Sequence, residues 1–134
     1  MSKITTIKGI GENYAGKLEE CGISTTESLL EKGASAAGRK ELVEKSGISN
    51  KLILRWVNMS DLFRIKGVGE EYADLLEAAG VDTVPELAQR NAVNLQLKMA
   101  QLNDEKSMVS SVPTQARVED WTTQAKALDK VVTY

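Results

Sequence analysis

Two short segments carry the residue types and spacing that bear on chemistry, Gly9-Ile10-Gly11 and Gly67-Val68-Gly69. A Gly-apolar-Gly turn lets the backbone take conformations closed to other residues, while its middle side chain plugs into a core. A helix that opens at the second glycine has N–H groups with no intrahelical partner. Those donors and the helix dipole together make a natural anion site. Lys8 and Lys66 directly precede the two turns, and Lys17 lies on the helix expected after the first. The pattern is not a dinucleotide loop: it lacks the third glycine at the required spacing and follows no core strand.

Other chemistry is poorly provided for. The chain has no histidine, so the commonest general base and metal ligand are both missing. A single cysteine, Cys21, cannot form an internal disulfide or a four-sulfur zinc site. It aligns with Ala79, which predicts a packing role. Carboxylates cluster at Glu70/Glu71/Asp74 and at Asp104/Glu105, but no histidine, second cysteine or arranged nucleophile joins them. No catalytic residue, metal site, resident cofactor or small-molecule substrate is expected, and the chain is read as non-enzymatic. With 17 Lys+Arg against 19 Asp+Glu, the net charge of −2 excludes coating of nucleic acid by bulk charge. Aromatic residues are only 4% of the chain, too few for an extended row of base-stacking platforms.

The elements that position the turns follow from a repeat. Residues 7–30 match residues 65–88 at an offset of 58, with 12 identities in 24 positions. A later echo at an offset of 65 aligns Trp56 with Trp121 and Ser49 with Thr114. Unit one is placed at 1–61 and unit two at 62–134, within a single compact domain of 134 residues. Tyr14, Ala15, Leu18 and Cys21 make one helical face that stops at Gly22. Ser24-Thr25-Thr26-Glu27 resembles a capping box, and Thr83-Val84-Pro85-Glu86 is its counterpart with proline in the first turn. Ser35 opens a helix through Arg39, Leu42 and Val43 to Gly47, and Ser49 caps another through Trp56 to Leu62. Helices over 92–106 and 114–128, separated by Pro113, fill the same places in unit two. The fold class is all-α, with a pseudo-two-fold repeat.

Residues 3–7 and 130–134 are β-branched, which predicts a short terminal β-ribbon. The same symmetry argument makes helix 114–128, with Trp121, the support of the first hairpin. Both tryptophans are read as packing residues rather than base-stacking platforms. Arg39-Lys40 is followed by Glu41 and Glu44, the pattern of a solvated helix face. Residues 94–113, with Leu95, Leu97, Met99, Leu102, Met108 and Val109, are either an adaptable contact surface or a longer core helix.

The hairpin residues, with Ala15, Leu18, Gly22-Ile23 and Thr25 in one copy and Ala73, Leu76, Gly80-Val81 and Thr83 in the other, resemble the helix-hairpin-helix motif. Nearly the whole chain is similar to a bacterial family of paired helix-hairpin-helix proteins with no assigned function. The resemblance implies binding of nucleic acid without sequence readout, with the amides of Gly9, Gly11, Gly67 and Gly69 on phosphate oxygens, Lys8 and Lys66 adding charge, and Lys17 beside the first hairpin. It also implies that a monovalent cation can bridge hairpin carbonyls to the strand.

Charge pulls the other way. Glu12 follows the first hairpin, and Glu70, Glu71 and Asp74 follow the second. Two like charges about 4 Å apart repel by roughly 4 kcal/mol at an effective dielectric near 20, and by about 1 in bulk water. An anion at an exposed helix start gains only about 0.3–1 kcal/mol. Glu12 and Glu70 are equally well read as the intramolecular anions that satisfy their own helix starts. Residues 1–61 hold nine basic and eight acidic side chains, whereas 62–134 hold eight and eleven, so the first hairpin is the better phosphate site. The rival class is a protein–protein adaptor with architectural hairpins, docking partners on 94–113 or on the acidic second half. The N-terminal segment has no apolar run typical of a signal peptide, and no stretch is apolar enough for a membrane span, so a cytoplasmic location and no membrane partner are expected.

Overall fold

A computed structural model describes residues 3–134. Among these the fold is helical throughout: a 3-10 turn at Ile4–Thr6, then α1 (Glu12–Glu20), α2 (Thr26–Gly33), α3 (Ala36–Ser46), α4 (Asn50–Leu62), α5 (Glu70–Ala78), α6 (Val84–Ala88), α7 (Ala92–Lys106) and α8 (Gln115–Ala127). The chain divides into two compact units. One holds the residues up to Asp61 together with Val131–Tyr134, and the other holds Leu62–Lys130.

In the first unit α1 packs on α3 and on the 3-10 turn, and α2 packs on α3. Its buried side chains include Ile4, Ile7, Leu18, Ile23, Leu29, Ile53 and Trp56. In the second, α8 packs on α6 and α7, and α5 packs on α7. Ile65, Leu75, Leu76, Val81, Leu87 and Trp121 are buried there. Apolar residues on one stripe of each helix supply these faces, at the spacing read from the sequence.

The helix starts follow local chemistry. Thr25, Ser35, Thr83, Asn91 and Thr114 each cap the helix that follows by accepting a backbone N–H on the side-chain oxygen. The Ser49 hydroxyl accepts the Leu52 N–H in the same way at the start of α4. The capping box of α2 sits one residue later than the sequence pattern predicts. Thr25 and Ser28 form it reciprocally, so Ser28 takes the place expected for Glu27.

Three expectations are corrected. The first is the terminal ribbon. Ile4 and Ile7 are both buried, and a spacing of three puts them on one side of a 3-10 turn, where a strand would send them to opposite faces. Lys3 forms a single antiparallel bridge with Thr25, and Thr133 bonds to Ala34, so the two ends pair with unit-one residues rather than with each other. The second is Trp121, which packs against Tyr72 after the second glycine turn. Trp56 packs against Tyr14 after the first. Each glycine turn is thus backed by the last helix of its own unit. The third is Arg39, which is buried rather than solvated.

The corner between α2 and α3 is close-packed. A Cβ on Gly38 would overlap the Lys32 carbonyl oxygen, and one on Gly33 would overlap the Val57 side chain. Backbone cannot swing aside as a flexible side chain can. Gly38→Ala is therefore expected to destabilise the chain by about 1–3 kcal/mol, the usual range for overpacking. Urea denaturation measures it, and an unchanged midpoint would show that the corner relaxes freely.

Candidate functional site

Gly9 (φ 99°) and Gly67 (φ 95°) adopt left-handed backbone that a side chain would strain. Ile10 and Val68 point inward and are buried, as the turn pattern predicts. Gly11 and Gly69 then act as the N-caps of α1 and α5 in extended backbone. Neither helix start receives a side-chain cap, in contrast to the other six α-helices of the described residues. A glycine at the N-cap position has no side-chain oxygen to offer, so the first N–H groups of α1 and α5 lack the partner a Ser, Thr or Asn supplies.

The first glycine turn lies exposed at Lys8, Gly9 and Gly11. Beneath it Trp56 is fully buried, and its indole meets Tyr14 edge-on with ring centroids 5.1 Å apart. Trp56 Nε1 lies 3.8 Å from where a Gly9 Cβ would stand, and Arg55 Nη1 lies 3.5 Å from it. Arg55 also donates a long bond of 3.4 Å to the Lys8 carbonyl. Lys17 stands 5.9 Å from the centroid of the Tyr14 ring, so α1 and α4 bring two further cations to the turn that Lys8 precedes. Glu12, the first helical residue, is exposed beside them.

The second glycine turn has the same aromatic support but not the same charge. Tyr72 and Trp121 rings are 5.3 Å apart, and Trp121 Nε1 lies 3.1 Å from the position of a Gly67 Cβ. Gln124 holds Lys66 by both main-chain groups. The Lys66 N–H donates to Gln124 Oε1 at 2.8 Å, and Gln124 Nε2 donates to the Lys66 carbonyl at 3.1 Å. Asp120 accepts from the same amide nitrogen at 2.8 Å. Arg117 lies 5.4 Å from the Tyr72 ring centroid and donates to its hydroxyl, which in turn donates to the Ser111 carbonyl. Glu70 and Glu71 occupy the first turn of α5.

The predicted residues thus fall into two groups, one in each unit. Lys8, Gly9, Gly11 and Lys17 come together around Tyr14 and Trp56, and Lys66, Gly67 and Gly69 around Tyr72 and Trp121. Sequence reading missed Arg55, Gln124 and Arg117. Only the position of Arg55 next to Trp56 could have pointed to the first. At the sequence offset of 65, Gln124 aligns with Met59 and Arg117 with Leu52, so the internal sequence match gave no signal for either. Among the described residues, no group of three or more His, Cys, Asp or Glu side chains is placed to hold a metal ion. No helix of the described residues is long and apolar enough to cross a membrane.

The family model of a domain of unknown function, DUF4332, matches residues 8–128. The chain belongs to that family. The DUF4332 match begins at Lys8 and so takes in both glycine turns and the eight α-helices of the described residues. No curated protein and no solved structure matches the chain.

Proposed function

We propose that the chain is a non-catalytic binding module that contacts nucleic-acid phosphates weakly and without reading sequence, through its first glycine hairpin. This reading takes Gly9-Ile10-Gly11 and Gly67-Val68-Gly69 as the turns of two tandem helix-hairpin-helix units. The observation that carries it is the pair of exposed, uncapped helix starts at Gly11 and Gly69, where the other six α-helices of the described residues are all side-chain capped. Lys8, Lys17 and Arg55 favour the first hairpin. The second starts from a disadvantage, because Glu70 and Glu71 stand at the helix start and Gln124 takes up the main chain of Lys66.

Neutralising about two to four phosphates gives a log–log salt slope of roughly −2 to −4. Labelled single- and double-stranded DNA and RNA, titrated at about 50 mM salt, should bind saturably and weaken along that slope. Lys8→Glu should abolish binding, and Lys66→Glu should reduce it much less. No binding at tens of micromolar protein would sink this reading.

One observation favours a protein–protein adaptor instead. Val93 and Leu97, 42% and 60% exposed, lie one turn apart on α7 and form a small apolar stripe. Leu95, Met99 and Val109 of the same region are buried, so the contact surface there is narrower than the sequence pattern implies.

A further inference from the structure

The residue just before each buried tryptophan differs in charge between the two units. At the sequence offset of 65 that aligns Trp56 with Trp121, Arg55 aligns with Asp120. Arg55 stands at the first glycine turn. Its Nη1 is 3.5 Å from where a Gly9 Cβ would be and 3.4 Å from the Lys8 carbonyl oxygen. The Trp56 indole N–H, buried and without a hydrogen-bond partner, lies 3.8 Å from the same Gly9 position. Indole and guanidinium are both donors only. No acceptor neutralises the indole, so the positive end of its dipole stands beneath the turn and adds to the uncapped N–H groups that open α1. The second turn is built in the opposite sense. Asp120 accepts from Gln124 Nε2 at 2.8 Å, and the same nitrogen donates to the Lys66 carbonyl at 3.1 Å. A carboxylate is thereby held one hydrogen-bonded group away from that turn. Glu70 and Glu71 open α5, where the first turn of α1 holds one acid, Glu12.

We propose, resting on the phosphate-contacting function above, that the side chain before the tryptophan selects which turn takes a phosphate. Arg55 holds one backbone phosphate of a nucleic-acid strand at the first turn, and Asp120 bars one from the second. A guanidinium suits this task because its planar fork makes charge-assisted bonds to phosphate that are roughly twice as strong as neutral ones. The Lys8 carbonyl, at 3.4 Å, is a weak competitor for that fork. Arg55 also stands beside the uncapped start of α1, so one phosphate meets charged and main-chain donors together. At the second turn the same phosphate meets Asp120, Glu70 and Glu71.

The test titrates full-length protein into fluorescein-labelled oligothymidine, followed by anisotropy across a series of salt concentrations. Arg55→Gln should weaken binding about tenfold and reduce the log–log salt slope by about one, the mark of one lost phosphate contact. Arg55→Lys keeps the charge without the fork, so it should keep the slope and recover part of the affinity. Asp120→Arg should strengthen binding about threefold or more and raise the slope by about one. Lys98→Gln, an equal loss of charge at an exposed position of α7, should change neither quantity. If Arg55→Gln loses its helical circular dichroism, the Asp120→Arg comparison decides. A folded Arg55→Gln with unmodified affinity and slope would overturn the role of Arg55 and leave the phosphate-contacting function standing. An Asp120→Arg variant that gains nothing would do the same. Failure of the unmodified chain to bind at tens of micromolar would overturn both.

Discussion

Trp56→Ala is expected to cost the fold about 3–5 kcal/mol, the range for removing a large aromatic side chain from a core. Trp56 is fully buried, and it backs the turn at Gly9 while meeting Tyr14 edge-on. Alanine would leave a void beneath a turn whose left-handed glycine backbone has no side chain of its own to fill it. The lost edge-on ring pair accounts for about 0.5–1.5 kcal/mol of the total. Trp121→Ala should cost a similar amount, because Trp121 is 1% exposed and stands against Tyr72 and Gly67 in the same way. Trp56→Phe separates packing from polarity. Trp56 Nε1 is buried with no hydrogen-bond partner, and such a donor costs about 1–3 kcal/mol. Phenylalanine gives up ring volume but removes that donor, so its cost should fall well below that of alanine. Urea denaturation of the variants measures all three. An alanine cost below about 1 kcal/mol would mean that the turn is held by its own hydrogen bonds and not by the indole.

The parts of this picture that were legible in the sequence are those decided within a few residues. Glycine at positions 9 and 67, the capping threonine at 83, and the apolar stripes after each glycine turn all act locally, and helices formed where those signals place them, with the α2 cap one residue late at Thr25. The tyrosine after each glycine turn pairs with a tryptophan. What could not be read was set by partners far along the chain. Arg39 sits among Lys40, Glu41 and Glu44, and nothing nearby distinguishes it from a solvated position. Its burial depends on the Thr133 carbonyl, 94 residues away. Gln124 reaches Lys66 across 58 residues, with methionine at its repeat equivalent. The terminal ribbon failed for a local reason that propensity hides. β-branched composition favours a strand, whereas the spacing of Ile4 and Ile7 satisfies the core only in a 3-10 turn. The repeat also misled on Trp121, because symmetry of sequence does not say which copy a supporting helix serves.

Arg39→Ala should cost about 3–4 kcal/mol. Hydrogen bonds to charged groups are worth about 1.5–3 kcal/mol, and a buried carbonyl left unsatisfied costs about 1–3. Arg39 donates to Gly33 at 2.8 Å, to Ala34 at 3.1 Å and to Thr133 at 2.6 Å, so one truncation affects three acceptors. Ala34 keeps the Thr133 N–H if the tail stays in place, which holds the cost below a simple sum. Arg39→Lys keeps the charge but loses the forked geometry that reaches several carbonyls at once, and it should fall between alanine and the unmodified chain. Lys40→Ala, at the exposed neighbouring position, should change stability by less than about 0.5 kcal/mol. Urea denaturation gives the stabilities, and hydrogen exchange at the Thr133 amide reports the tail directly. If Arg39→Ala unfolds no more easily than Lys40→Ala, the guanidinium is not what joins the tail to the corner of α2 and α3. A large loss of stability with fast Thr133 exchange would place the closure of the first unit on this one side chain.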